Sequence, residues 1–138
     1  ILSAIGPKKS FDIGAIFFPL GLALSCYFFW SEDSFVAYQY ACLMLAIPDA
    51  VAGYFGKRSN GETFMNGQKT YIGSVTFFLA ALFLSIFFAT FVYDLPVLEL
   101  LLKVILSSVV LMVVEAVSVR GVDNVTVPLS AGAAISFW

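Results

Sequence analysis

Long apolar runs separated by short polar words set the pattern of this chain. The runs extend from about Ile13 to Trp30, Phe35 to about Phe55, Tyr71 to Tyr93, Val97 to Val119 and Val125 to Trp138. A membrane helix needs about 20 predominantly apolar residues, and each run meets or approaches that length. Ser31-Glu32-Asp33-Ser34 stops the first run, and Asp94-Leu95-Pro96 turns the third into the fourth. Pro48 and Asp49 interrupt the second, because proline withdraws a backbone donor and tends to kink a helix. The last run is short and contains Pro128, so a tilted or partly re-entrant path is expected. The predicted fold is all-α: a polytopic transmembrane helix bundle of about five spans, forming a single membrane domain over residues 1–138.

Basic residues orient this bundle. Lys8 and Lys9 precede the first run, Lys57, Arg58 and Lys69 lie between the second and third, and Arg120 follows the fourth. If all five runs cross, six of the seven cations share one side, as expected of cytoplasmic loops. Loops 56–70 and 120–124 are therefore assigned to the cytoplasmic face. Lys103 is the exception; it follows Glu99 at i,i+4 spacing, which suits a surface pair at the outer end of the fourth run.

Composition agrees with this picture. The chain is 61% hydrophobic and 12% charged, against roughly 25% charged residues in a soluble domain. No histidine is present, which excludes Ser-His-Asp and Cys-His chemistry. Cys26 and Cys42 lie within apolar runs in no metal-ligand spacing and read as small hydrophobes without a disulfide. A net charge of −2 with no basic run gives no reason to expect a nucleic-acid partner.

The remaining acids then need explaining, since an acid at a membrane face is costly unless it binds or catalyses something. Asp49 opens Asp49-Ala50-Val51-Ala52-Gly53-Tyr54-Phe55-Gly56-Lys57-Arg58, while Glu115 and Asp123-Asn124 flank the link after the fourth run. If the cytoplasmic helix ends converge, Asp49, Glu115 and Asp123 form a carboxylate cluster able to hold a divalent cation. Gly53 and Gly56 give a thin helix face for a ligand, or for ordinary helix packing. The linker cations, with Gly61 and Gly67, can surround a phosphate. Lys69-Thr70 sits where a helix start would offer free amides, although Thr70 is equally an N-cap. Asp123-Asn124 can also be read as a cap, and Glu115 as the partner of Arg120.

The order Pro48-Asp49-Ala50-Val51-Ala52-Gly53, Gly56-Lys57, Lys69-Thr70-Tyr71-Ile72-Gly73-Ser74, Glu115-Ala116 and Asp123-Asn124-Val125-Thr126-Val127-Pro128 resembles a membrane enzyme superfamily. It contains phosphatidate cytidylyltransferases and CTP-dependent lipid-alcohol kinases, such as the phytol, dolichol and diacylglycerol kinases. The Asp-Asn-x-x-Val-Pro element looks like the phytol and diacylglycerol kinase branch. The Lys-Arg and Lys-Asp pattern typical of the cytidylyltransferases is reduced here to Arg120 and Asp123. The resemblance implies phosphoryl transfer from CTP, or another nucleoside triphosphate, to a lipid alcohol. It further implies Mg²⁺ on Asp49 and Asp123, and catalytic roles for Asp49, Lys69, Glu115 and Asp123. Nucleotide contacts are implied for Gly53, Gly56, Lys57, Thr70, Gly73, Ser74 and Asn124. Partners would be membrane lipids and a homodimer mate or other membrane subunits. The family also implies N-terminal spans ahead of this chain, and often carries an acidic residue or alanine where Ile72 stands. The alternatives are a CDP-lipid synthase and a non-catalytic membrane subunit that retains the fold.

Overall fold

The computed structural model describes residues 13–59, 61–64, 67, 69–93 and 95–138. Lys8, Lys9 and Asp94 lie outside the described residues. Helix accounts for 79% of the described chain, in six stretches: α1 (Ile13–Phe29), α2 (Phe35–Ala46), α3 (Pro48–Arg58), α4 (Tyr71–Phe91), α5 (Val97–Val117) and α6 (Asp123–Ile135). Two short strands, β1 (Thr63–Phe64) and β2 (Lys69–Thr70), pair antiparallel in the linker. The path Phe35–Arg58, together with α4 and α5, is long and apolar enough to cross a membrane. At 17 residues α1 is at the lower limit of a crossing, and α6 has 13. The final apolar run thus differs from expectation: its helix begins at Asp123 rather than Val125, because the turn through Val122 already has helical geometry.

Proline explains the break in the second path. Pro48 occupies the first turn of α3, where a missing N–H costs nothing, and Ile47 separates α2 from α3. The chain continues across the break, with the Ile47 amide donating to Leu43 O and the Val51 amide to Ile47 O, at 2.9 and 3.0 Å. Asp49 lies in the first turn of α3 and Lys57 and Arg58 in its last, which complements the helix dipole at both ends.

Packing makes α6 the centre of the bundle, in contact with α1, α2 and α5, while α3 packs on α4 and α4 on α5. Tyr40, Met44, Phe77, Leu111, Val127, Ala131 and Ile135 fill the core. Three buried hydroxyls bridge helices inside it: Tyr40 and Ser85 lie 2.7 Å apart, and Ser108 donates to Ser85 at 3.3 Å. Glycines set the closest helix approaches. Pro128 has no N–H to donate to the carbonyl of Asn124, four residues before it. At that carbonyl α1 comes in with Gly21, where an added Cβ would meet the oxygen at 1.9 Å. Gly132 similarly lies under the ring of Phe29.

Outward faces are apolar. Leu98, Leu101, Leu102, Ile105, Leu106, Val109, Val110 and Val113 of α5 are all exposed, as are Phe83 and Phe91 of α4. A soluble monomer rarely shows a contiguous patch of that kind. At the end of the bundle away from Asp123, Lys103 pairs with Glu99 at 2.6 Å and donates to the carbonyl of Trp138 at 2.7 Å. The i,i+4 pair therefore forms as its spacing suggests. Cys26 and Cys42 are free thiols, half-buried rather than fully enclosed.

Candidate functional site

Where α5 ends and α4 and α6 begin, the helices part around a cavity of about 910 Å³. The residues assigned catalytic, metal or nucleotide roles from the sequence all lie in its wall: Asp49, Gly53, Gly56 and Lys57 from α3, Lys69 and Thr70 from β2, Gly73 and Ser74 from α4, Glu115 from α5, and Asp123 and Asn124 from α6; Arg58 and Gly61, expected with the linker cations around a phosphate, do not line it. Residues far apart in the chain are thus gathered by topology. Asp49 and Lys57 are eight residues apart on one helix, so this wall is about 12 Å tall at 1.5 Å per residue. Asp49 forms its deep end and Lys57 its rim.

Local structure aims the cations. The β1–β2 hairpin turns at Gly67, whose φ of 80° is a left-handed conformation that glycine adopts without strain. The hairpin brings Lys69 over the cavity, and Thr70 then caps α4 by accepting from the Gly73 amide at 3.0 Å. The sequence predicted this capping role. It predicted no hairpin, because strands of two residues carry no readable period.

The charged centre is a bridge. The Lys69 ammonium donates to Glu115 Oε1 and, at 2.7 Å, to Asp123 Oδ2. All three side chains are largely buried, with 13%, 6% and 15% of their surface exposed. The other Glu115 oxygen, Oε2, accepts from the Ser74 hydroxyl at 3.3 Å, and Asp123 Oδ1 accepts from the Asn124 amide at 3.1 Å. Burial pulls the Lys69 ammonium toward neutrality, but its hydrogen bonds to Asp123 and Glu115 prevail and raise its pKa above the ordinary lysine value. Asp49 differs: among the described residues its carboxylate has no hydrogen bond or ion pair. The charges that act on it are, in decreasing order, those of Asp123, Lys69, Glu115 and Lys57.

Several residues do different work from that expected. Glu115 pairs with Lys69 rather than Arg120, because α5 stops at Val117 and Arg120 is not on its helical face. Asp123 does not cap α6 through its side chain. The Asn124 side-chain amide ties down α1 by donating to the Gly14 carbonyl at 3.1 Å. Gly56 and Gly73 make the α3–α4 crossing: a Cβ on Gly56 would meet Thr70 Oγ1 at 2.8 Å and the Gly73 Cα at 3.4 Å. Small-residue packing therefore accounts for that pair. It does not account for Gly53, whose absent Cβ would enter open space on the cavity wall. Arg58 turns away from the cavity, donating to Tyr54 Oη at 2.7 Å with its guanidinium over the Tyr54 ring.

The sequence reading overlooked Gly14, Arg120 and Gly121 as part of the wall. Arg120 and Gly121 take consecutive left-handed conformations, φ 56° and 83°, in the turn from α5 to α6. Arg-Gly just after a helix was the available sign, since Gly is enriched at such C-terminal turns. Gly121 also lies against α1, where an added Cβ would come within 2.6 Å of the Gly14 Cα.

A hard divalent cation suits the donor set. Among the described residues, no three acidic, histidine or cysteine side chains converge to make a protein-only cage. Mg²⁺ does not need one, because it usually binds one or two carboxylates and completes its shell with water and phosphate oxygens. Among the described residues Asp49 has no direct partner, Asp123 is the charge that acts on it most, and the open volume between the walls has room for such a shell. No family model, curated protein or solved structure matches the chain, so the case for a function rests on the site and on the sequence words that form it.

Proposed function

We propose that this protein is an integral membrane kinase that transfers a phosphoryl group from a nucleoside triphosphate, CTP by the family resemblance, to a lipid alcohol. The observation that carries this reading is the convergence of Asp49, Lys69, Glu115 and Asp123 from four separate elements on one cavity. Lys57, Lys69 and Arg120 supply positive charge there, and the Thr70-capped start of α4 adds its dipole. Phosphoryl transfer depends on positioning and charge neutralisation more than on covalent help from the protein, and these groups suit that task without histidine.

Asp49 and Asp123 would hold Mg²⁺, which when bound neutralises phosphate charge and aligns the transferred group. The lipid alcohol attacks the terminal phosphorus, the bond to the bridging oxygen breaks, and the nucleoside diphosphate leaves. The hydroxyl proton passes to a cavity carboxylate, with Glu115 the one not assigned to the metal. The open Gly53 face gives the alcohol a route from the apolar surface of α3, where Tyr54 and Phe55 are exposed.

The membrane arrangement follows the same reasoning. Lys57, Arg58, Lys69 and Arg120 gather at the cavity end, which assigns it and loops 56–70 and 120–124 to the cytoplasm. The path from Asp123 reaches Trp138, beside Lys103 at the far end of α5, so α6 traverses the bundle with the longer helices. This supports five crossings despite its 13 residues.

The test uses the purified chain in detergent micelles with Mg²⁺, each nucleoside triphosphate in turn, and a pool of phytol, polyprenol and diacylglycerol. Mass spectrometry should find one phosphorylated alcohol, with CDP as co-product. Asp49→Asn and Asp123→Asn should each lower turnover by about 100-fold or more, since several kcal/mol of charge stabilisation depend on the metal. Full turnover in both variants would overturn the assignment. With phosphatidate added to the pool, a CDP-lipid and pyrophosphate in place of a phosphorylated alcohol and CDP would identify a CDP-lipid synthase, and binding of neither Mg²⁺ nor nucleotide would identify a non-catalytic subunit.

A further inference from the structure

Both oxygens of Asp123 are already engaged, one by the Lys69 ammonium and one by the Asn124 backbone amide. Both oxygens of Glu115 are engaged as well, by Lys69 and Ser74. A cation arriving between Asp49 and Asp123 therefore meets a carboxylate that already holds a donor on each oxygen, one of them itself a positive charge. The backbone amide is fixed in the first turn of α6. The lysine is a point charge on a flexible stem, carried by a two-residue strand. Two positive charges on one carboxylate repel, and the burial of the Lys69, Glu115 and Asp123 side chains strengthens that repulsion.

We infer that Lys69 is a built-in stand-in cation: it occupies the Asp123–Glu115 carboxylates until a divalent ion takes Asp123, and the displaced ammonium then engages the anionic phosphate chain in the same cavity. This inference rests on the phosphoryl-transfer reading for the identity of the anion, and on geometry alone for the competition. Lys69 is held over the cavity by the hairpin, beside the start of α4 and facing the wall that carries Lys57. A short swing of its side chain exchanges carboxylate for phosphate without moving a helix. Until then its single charge partly offsets the two carboxylates it touches. The arrangement also couples cation entry to the release of a phosphate-binding group.

The prediction has opposite signs for two ligands. Full-length protein in micelles is titrated with Mn²⁺, followed by paramagnetic resonance, and separately with inorganic triphosphate by calorimetry without metal. Lys69→Gln should bind Mn²⁺ roughly ten-fold more tightly than wild type, because a competing charge has gone, and triphosphate about ten-fold more weakly. Lys69→Met, similar in length and uncharged, should do the same and serves if Gln impairs folding. Lys69→Arg should restore wild-type behaviour toward Mn²⁺. Unchanged or weaker Mn²⁺ binding in the neutral variants would overturn the inference, as would absence of Mn²⁺ binding in every form. If the opposed shifts appear but no lipid is phosphorylated, the stand-in role survives and the kinase reading fails.

Discussion

At the residue scale, glycines a few positions apart are doing different jobs, and the space around each decides which. Gly56 is filled against Thr70 and Gly73, whereas Gly53 faces open cavity. Gly56→Ala should therefore lower the melting temperature in detergent, at an overpacking cost of about 1–3 kcal/mol. Gly53→Leu should leave melting nearly unchanged yet block transfer to a long-chain alcohol, which a lipid phosphorylation assay reads directly. Equal destabilisation by both would show that the Gly53 space is not real. Gly21→Ala is the severest case, because its methyl would run into the Asn124 carbonyl, a backbone atom with little freedom to yield. Expression of folded protein, followed by size-exclusion chromatography, should fall sharply for that variant.

At the element scale, most helices were legible because their ends carry punctuation. Thr70 caps α4, Pro48 starts α3, and the polar Ser31–Ser34 turn separates α1 from α2, closed by the Ser34 hydroxyl donating to Phe29 O at 2.9 Å. Thr70→Ala should cost about 1 kcal/mol, the usual value of an N-cap hydroxyl, measured as a shift in the unfolding midpoint. The acids and cations of the cavity were legible for a different reason: each stands out against apolar neighbours. Their pairing was not. Glu115 lies 46 residues from Lys69 and five from Arg120 in sequence, and only the end of α5 at Val117 rules out the nearer partner. The hairpin was also hidden, since its residues resemble any polar linker. The role of Gly21 depended on a carbonyl left without a donor by Pro128, and no local pattern announces such a partnership.

At the scale of the whole molecule, the cationic end and the apolar flanks imply an orientation that labelling can check. In a background lacking Cys26 and Cys42, Ser59→Cys should react with an impermeant maleimide only from the cytoplasmic face, and Glu32→Cys only from the opposite one. Labelling of both from one side would contradict the crossing pattern. The broken second path bears on biogenesis. Its α2 half is apolar, while α3 brings Asp49, Lys57 and Arg58. A charged side chain near the middle of a segment, as Asp49 is in Phe35–Arg58, opposes insertion by about 2.5–3.5 kcal/mol. The half that lines the cavity is thus the half that lipid welcomes least, and Gly56 against Gly73 gives it α4 to lean on. A nascent chain halted before α4 would leave α3 at the headgroups, so the cavity is assembled only after the next helix has emerged from the ribosome.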